Sequence, residues 1–351
     1  MLGALHPGFW IGFNVFIVVM LALDLWVFHR KAHEVKLREA LVLSVFWIAL
    51  ALVFGAGVYF TPQFGLGPEM AQRYFLGYVI EKALSIDNLF VFAIIFAAFK
   101  VPRSYEHKLL FYGVVGALIM RAIFIFVGVA LLERFHFLIY VFGAFLVITG
   151  AKLLLERNKE PHPERNFFFR MIKGVLPLSS DFDGDKFTTR RAGKLFFTPL
   201  FLVLLLIEFT DLVFALDSIP AVMAVAQDEN GNVDPFIVYT SNVFAILGMR
   251  SLYFALAGIL GMFRFLKPAL AFILAFIGTK MLIMDVYKMP IEIALGVVLG
   301  VLALAVILSL LIPGKKPELP PPFEVIPPQP EAETSATPFL ESRPQEARAA
   351  E

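Results

Sequence analysis

Five acidic residues lie inside long apolar segments of the chain, where a charged group requires a physical reason. They are Glu81, Asp87, Glu208, Asp211 and Asp217. A carboxylate at the centre of a membrane-inserted helix costs about 2.5–3.5 kcal/mol on insertion scales. Carboxylate oxygens are hard ligands, which suit Mg²⁺, Ca²⁺ and Mn²⁺ better than soft metals. The pattern therefore predicts a binding site for a hard divalent cation within the apolar part of the protein.

Neighbouring polar residues and missing residue types narrow this chemistry. Asn88 follows Asp87 and Ser218 follows Asp217, so an amide oxygen and a hydroxyl accompany the acids. The chain contains no Cys, and all six His lie in predicted loops or at the ends of apolar segments. Thiolate sites, disulfides, a soft Cu⁺ site and a His-rich Zn²⁺ site are therefore excluded or disfavoured. The predicted ligands are oxygen atoms.

Basic residues in the same segments are expected to balance these acids. Lys82, Arg121 and Arg250 set against five carboxylates leave two negative charges, which one divalent cation would neutralise. We assign them charge-balancing or gating roles, because they can also neutralise the acids when no ion is bound. Asp24, near the inner end of the first apolar segment, joins this group. A structural alternative stays open, in which Arg121 and Arg250 pair with acids to fix helix packing.

Helix geometry limits which of these acids can meet. Glu208 and Asp211 are three residues apart and share one face of a helix. Asp217 lies nine residues beyond Glu208 and faces the opposite way on a straight helix. Pro220 cannot donate a backbone hydrogen bond, so we expect a break around residues 215–220 that turns Asp217 inward. Such a break is tolerated in a membrane where it lines a cavity, which predicts a cavity between the two acidic segments.

Composition indicates an all-α membrane protein that spans the bilayer several times. The chain has 351 residues, of which 59% are hydrophobic and 17% are charged, with a mean hydropathy of +0.79. Blocks of about 20 apolar residues are long enough to cross a bilayer as helices. This disfavours a soluble enzyme and a nucleic-acid-binding domain, so we expect no enzymatic activity, prosthetic group or nucleic-acid partner. Nine spans are predicted, at about Phe9–Phe28, Ala40–Phe60, Tyr74–Phe99, Leu109–Leu132, Phe137–Leu155, Phe196–Ala226, Pro235–Met262, Pro268–Val286 and Ile291–Ile312.

The distribution of basic residues predicts the orientation and the domains. Twenty of the 30 Lys and Arg residues lie in the loops on one side of these spans, which places the N-terminus outside and the C-terminus in the cytoplasm. Residues 1–312 form the predicted transmembrane domain, with a cytoplasmic loop at 156–194 that contains a small hairpin turning at Gly193. Residues 313–351 are rich in Pro and are predicted to be a disordered cytoplasmic tail.

The chain also contains an internal repeat. Three features recur at a spacing of 127 to 129 residues: Glu81 with Glu208, Met120-Arg121 with Met249-Arg250, and Gly150–Leu154 with Gly278–Leu282. Spans three to five therefore correspond to spans six to eight. Because each unit has an odd number of spans, the second unit is inverted relative to the first. This 3+3 inverted repeat is typical of secondary transporters, whose sites lie near the midplane between the repeats.

At these residues the chain resembles the TerC/Alx family of integral membrane proteins. The likeness runs from about residue 9 to residue 312, and its strongest motifs are Glu81–Phe92, Glu208–Pro220, Ser241–Phe254 and Asp24–Glu34. The resemblance implies Mn²⁺ export from the cytoplasm, a link to tellurite-resistance and pH-response loci, and membership of a superfamily with lysine exporters. It implies metal-handling roles for Glu81, Asp87, Asn88, Glu208, Asp211, Asp217 and Ser218.

The sequence therefore predicts a manganese exporter in the plasma membrane of a bacterium. Metal would bind the carboxylates from the cytoplasm and leave outward in exchange for protons, because acids in a poorly solvated site retain protons readily. Two alternatives stay open. One is a membrane-protein assembly or insertion factor with a hydrophilic groove open to lipid, and the other is an exporter of amino acids or other organic solutes. Besides manganese and the lipid bilayer, a second copy of the chain or another membrane protein remains an open partner.

Overall fold

The computed structural model is mostly helical. It describes residues 7–28, 37–135, 137–155, 176–179, 181–191, 193–228, 232–256 and 265–312, and the side chains of residues 24–28 and 87 lie outside that description. Within these ranges the helices are α1 (Pro7–Phe28), α2 (Leu37–Tyr59), α3 (Pro68–Ala98), α4 (Arg103–Arg134), α5 (Leu138–Leu155), α6 (Pro199–Val225), α7 (Pro235–Leu247), α8 (Met249–Leu256), α9 (Leu266–Leu282) and α10 (Ile291–Leu311). A short 3₁₀ helix at Pro62–Phe64 precedes α3, and strands β1 (Thr188–Arg191) and β2 (Lys194–Phe197) precede α6.

Several helices meet the requirements of a membrane span, and the protein is a multi-pass membrane protein. By length and composition α2, α4, α5, α6 and α10 can cross a bilayer, and α1 contributes a shorter apolar stretch at Pro7–Leu23. The chain of α3 is long enough at 31 residues but has five charged residues in its first 20. These five helices support part of the predicted set of nine spans.

The predicted hairpin is confirmed and marks one end of the molecule. Its strands pair antiparallel, and Gly193 adopts a φ of +78°, a left-handed conformation that glycine tolerates. Lys108, in the first turns of α4, donates to Asp185 at 2.9 Å, and its ammonium lies over the ring of Phe187. The start of α4, the start of α6 and the end of α3 all lie here, and we call this the hairpin end.

The expected break in α6 is wrong. This helix continues from Pro199 to Val225 with Pro220 inside it. Proline removes one backbone hydrogen bond, but neighbouring helices can hold such a turn in place. The residues on either side, Ile219 and Ala221, are buried by those neighbours. Tight packing thus keeps the helix continuous where local chemistry alone favours a break.

A break occurs instead in the seventh predicted span. There α7 ends at Leu247 and α8 begins at Met249, with Gly248 between them. The carbonyl oxygen of Ala245, near the end of α7, accepts a hydrogen bond from Lys82 Nζ at 3.1 Å. A cation at the C-terminal end of a helix is favourable, because the last carbonyls lack backbone partners there. Lys82 therefore caps the end of α7.

The closest helix pair is α5 against α9, and glycines allow the approach. A Cβ atom added at Gly143 would lie 3.0 Å from the carbonyl oxygen of Gly278, and one added at Gly150 would lie 2.6 Å from that of Ala271. As the residue number rises along α5 it falls along α9, so the two helices run antiparallel. Both contacts join a position in one helix to the position about 128 residues from its counterpart.

Four helices form the centre of the molecule. Helix α3 packs against α6 and α7, and α4 packs against the same two helices. Toward the hairpin end this centre is closed by a buried apolar cluster that includes Leu89, Phe92, Leu110 and Leu206. Polar side chains from all four helices meet between the apolar layers.

Candidate functional site: a buried acid–arginine cluster

Arg121 of α4 is the largest fully buried side chain in the described structure, with 1% of its surface exposed. Its guanidinium forms ion pairs with Glu81 of α3 and Asp211 of α6. Nη2 lies 3.3 Å from one Asp211 oxygen and Nε lies 3.5 Å from the other, so this contact is bidentate. The predicted acids thus converge from two helices on one shared cation.

Neutral polar groups complete the surroundings of the guanidinium. Nη1 donates to the Ser218 hydroxyl at 3.2 Å and to the Asn242 side-chain oxygen at 3.3 Å. Ser218 lies one face around α6 from its neighbours in sequence, and Asn242 projects from α7. The amide of Asn242 in turn donates to the Val238 carbonyl at 3.0 Å, which fixes its orientation. All four central helices therefore contribute to one polar cluster.

Asn242 is a site residue that reasoning from sequence did not select. It lies in the motif Ser241–Phe254, but as a single amide in an apolar segment it was indistinguishable from an ordinary interhelical hydrogen-bonding residue. Its 1% exposure and its contact with Arg121 place it inside the cluster. The available signal was its position in the same repeat unit as the second acidic segment.

Glu208 lies beside the cluster, nearer to the hairpin end. Its carboxylate packs against α4 at Gly116, where an added Cβ atom would overlap both carboxylate oxygens. Asp211 is its charged neighbour, one turn further along α6. Arg121 does not bind Glu208 within the described structure, and the side chain is partly buried. Gly116 therefore provides the space in which this third acid approaches the cluster.

Asp217 faces a different side of α6. Thr149 of α5 donates its hydroxyl to Asp217 at 3.3 Å, and Lys152 is a nearby charge. Because α6 stays helical, Asp217 and Ser218 point about 100° apart around its axis. Ser218 consequently reaches Arg121 while Asp217 reaches α5. The predicted inward turn of Asp217 depended on the helix break that does not occur.

The other predicted basic residues lie outside this cluster. Lys82 caps α7 through Ala245, as described above. Arg250 is 5% exposed and its guanidinium carbon lies 6.0 Å from the centre of the Phe111 ring, a cation–π contact. Arg121 is thus the predicted base that the described structure brings to the paired acids.

Three further predicted residues have different outcomes. Asn88 is buried on α3, with 3% exposure, on the hairpin side of Glu81. Asp87 belongs to the same helix, but its side chain lies outside the described part of the structure. The side chain of Asp24, near the end of α1, also lies outside it.

Two oxygens in the cluster region lack partners. Glu81 Oε2 and the Ser85 hydroxyl are buried and have no hydrogen bond in the described structure, although Ser218 lies near the Glu81 carboxylate. Buried polar groups without partners are unusual and require an explanation such as a ligand or a water molecule. Three acids and one arginine leave two negative charges. Oxygen donors and this charge fit a hard dication, yet the described His, Asp and Glu residues do not gather in threes around a point that could hold a metal.

The fold and this cluster define a class: a polytopic α-helical membrane protein with a buried acid–arginine site between helices of its two halves. Residues 66–317 match the model of the integral membrane protein TerC family. The chain belongs to that family, as the sequence motifs predicted.

Relatives of known sequence have names but little stated chemistry. The chain is 52% identical over 305 residues to an uncharacterized membrane protein of Myxococcus xanthus, covering 87% of this chain and 92% of that one. It is 42% identical over 308 residues to proteins of Escherichia coli K12 and Salmonella typhi, both called putative membrane-bound redox modulator Alx, covering 86% of this chain and 94% of each relative. No solved structure matches the chain.

Proposed function

We propose that this protein is a secondary transporter that exports Mn²⁺ from the bacterial cytoplasm across the plasma membrane. One observation carries the proposal: Glu81 and Asp211, from two different helices, share one fully buried guanidinium. A cation is already held by carboxylates at this depth, so the arrangement suits exchange of one cation for another. Oxygen ligands favour Mn²⁺ over soft metals.

The inverted repeat supports a transport function. The contacts Gly143 with Gly278 and Gly150 with Ala271 are reciprocal, because a shift of about 128 residues converts one pair into the other. A reciprocal contact is the mark of a two-fold relation. Since α5 and α9 are antiparallel, the axis runs across the helices, as in transporters with inverted repeats. We infer nine spans with spans three to five and six to eight as the repeats.

The orientation proposed from basic residues places the hairpin end in the cytoplasm. Ser85 and Asn88 on α3, and Glu208 on α6, then lie on the cytoplasmic side of Arg121. A cation entering from the cytoplasm would meet Glu208 before Asp211. Each acid lowers the cost of bringing the ion into a poorly solvated region.

In the proposed cycle Arg121 is an internal substitute for the metal. When no ion is bound, its guanidinium neutralises Glu81 and Asp211, which would otherwise be buried as bare charges. When Mn²⁺ binds, Arg121 gives up at least one carboxylate. Protons can take the place of the ion on these acids during return, which would couple export to proton entry.

The name of the relatives concerns redox balance. This chain contains no Cys and so has no thiol of its own to oxidise or reduce. Any effect of this protein on redox balance would therefore be indirect, through the concentration of a redox-relevant metal such as manganese.

The assembly-factor alternative requires a hydrophilic groove open to lipid. A cavity of about 400 Å³ does lie between α1, α2 and α7, but its walls are apolar and include Phe9, Phe13, Phe54 and Phe244. This chemistry fits lipid chains better than the polar segments of a client protein. Transport remains the function that the buried cluster supports best.

The test is Mn²⁺ flux into proteoliposomes that contain the purified full-length protein. We expect flux without any partner protein, loss of flux in Asp211→Asn, and normal flux in Glu292→Gln, an acid at the start of α10 far from the cluster. Competition by Mg²⁺, Ca²⁺ and Zn²⁺ in the same assay gives the selectivity. Absence of wild-type flux, together with crosslinking to newly inserted membrane proteins, would overturn the proposal in favour of assembly.

A further inference from the structure

One face of α3 presents a line of buried polar groups that the paired cluster leaves unused. Glu81, Ser85 and Asn88 are spaced by four and three residues, so they share a face of the helix. Glu81 and Ser85 are fully buried and Asn88 is 3% exposed. The line runs from Arg121 at the centre toward the hairpin end.

The Ser85 hydroxyl differs from other buried hydroxyls in these helices. Thr210, Ser241 and Ser309 each donate to a backbone carbonyl three or four residues earlier, at 2.6, 3.0 and 2.7 Å. Such self-bonding is the usual way for a hydroxyl to be satisfied inside an apolar helix. Ser85 makes no hydrogen bond in the described structure. Its oxygen is therefore available to a ligand.

The neighbouring acid has a free oxygen on the same face. Arg121 holds Oε1 of Glu81, whereas Oε2 is buried without a partner. Ser44 on α2 also has an unpartnered hydroxyl, but no acid is found one turn away on its helix face. The pairing of a free carboxylate oxygen with a free hydroxyl distinguishes the Ser85 position.

We propose that Glu81 Oε2 and Ser85 Oγ form a loading position for the transported cation, and that Ser85 is a ligand in it. This inference rests on the proposed function and adds a step to it. The cation binds Oε2 and Ser85 while Arg121 still holds Oε1, and Arg121 leaves Asp211 afterwards. Glu81 is thus never a bare buried charge, which lowers the barrier to exchange. Both ligands are hard oxygens, and bound water fills the remaining coordination positions.

Transport kinetics of Ser85 variants in proteoliposomes test the ligand role. Ser85→Ala should raise the KM for Mn²⁺ by about tenfold or more, the size of loss typical when support for a metal ligand is removed. Ser85→Thr keeps the hydroxyl and should restore a KM close to that of the wild type. Ser44→Ala is the matched control and should leave KM unchanged. A wild-type KM in Ser85→Ala would overturn the inference while leaving the export proposal intact.

Chemical labelling tests the position independently of transport. Because the chain has no Cys, Ser85→Cys and Ser44→Cys each introduce a single thiol. In the purified full-length protein, Mn²⁺ should slow the reaction of Ser85→Cys with a small methanethiosulfonate reagent and leave that of Ser44→Cys unchanged. Equal rates with and without Mn²⁺ at Ser85→Cys would overturn the loading position. If the wild type shows no flux but Mn²⁺ still protects this thiol, export fails and cation binding at Ser85 stands.

Discussion

Glu81 and Glu208 occupy equivalent positions in the two halves of the chain, 127 residues apart, but their surroundings differ. Glu81 is fully buried and pairs with Arg121. Glu208 is partly buried, packs against Gly116 and has Asp211 as its charged neighbour. The same residue type at the same repeat position thus has a counter-ion in one half and a like charge in the other.

The equivalent arginines differ in the same way. Arg121 lies within the unbroken helix α4, whereas Arg250 follows the break at Gly248 and lies over Phe111. The position corresponding to Gly248 in the first half is Ile119, which favours a continuous helix. One glycine therefore accompanies the difference in geometry. An inverted repeat needs such a difference if one conformation is to open to one side of the membrane at a time.

The largest expected effect comes from removing the counter-ion in the first half. Arg121→Met leaves Glu81 and Asp211 buried without a partner, and we expect a loss of about 3–5 kcal/mol in the free energy of unfolding. Arg250→Met should cost less, because the paired acids keep Arg121. Thermal unfolding of both variants in the same detergent, compared with the wild type, measures the difference.

A neutral triple variant separates charge from packing. Glu81→Gln and Asp211→Asn combined with Arg121→Met should recover most of the lost stability, because no buried charge remains unpaired. Equal destabilisation by Arg121→Met and Arg250→Met, or no recovery in the triple variant, would show that the two arginines are not distinguished by their acid partners.

The second prediction concerns the space that Glu208 uses in the other half. Gly116→Ala places a methyl group where the Glu208 carboxylate lies, and overpacking of this kind costs about 1–3 kcal/mol. We expect reduced Mn²⁺ flux together with this loss. Glu208→Asp in the same background shortens the side chain and should restore part of both.

Gly57→Ala on α2 is the matched control, because an added Cβ there meets nothing within 4 Å. It should change neither flux nor stability by a measurable amount. If Gly116→Ala transports like Gly57→Ala, the carboxylate of Glu208 has another position available and its packing against α4 is dispensable.

A smaller effect is expected at the break that distinguishes the halves. Lys82→Met removes the cation that caps α7 and leaves the Ala245 carbonyl without this partner, at a cost of about 1–2 kcal/mol. Lys82→Arg keeps the charge and should lose less. Hydrogen exchange of the α7 and α8 amides measures the local effect, and unchanged exchange in Lys82→Met would rule out a capping function.

The acids and Arg121 could be predicted because charges in apolar segments have few uses, and the repeat spacing placed them in related helices. Their pairing could not be predicted, since it depends on how α3, α4 and α6 face one another. Asp217 and Lys82 show the limit most clearly. Tertiary packing kept α6 continuous at Pro220, and a break at Gly248 drew Lys82 to a carbonyl, so local sequence rules alone gave the wrong location for the break.

Ser85 and Asn242 were outside the reach of the sequence for a related reason. Small polar residues in apolar helices usually bond to their own backbone, and nothing in the sequence shows when they do not. The structure distinguishes them through a missing hydrogen bond at Ser85 and a contact with Arg121 at Asn242.

The smallest effect is expected at the exposed acids of the hairpin end, a solvated reference for the buried pair. Hydrogen bonds from Lys108 hold the pKa of Asp185 below its usual value, and those from Thr189 and Lys186 do the same for Asp183. A lowered folded-state pKa means that the stabilisation is present above the unfolded-state pKa of about 4. It is lost as the pH falls through the folded-state value.

Carbon-13 NMR titration of the Asp carboxylates measures both values directly. Lys108→Met should raise the pKa of Asp185 toward its ordinary value and leave that of Asp183 unchanged, because Asp183 has a different partner in Lys186. Added salt should have the same direction of effect, since exposed ion pairs are screened. If salt shifts these pKa values but leaves the stability contributed by Arg121 intact, the contrast between solvated and buried pairing holds. A salt-sensitive Arg121 contribution would mean that water reaches the acid–arginine cluster.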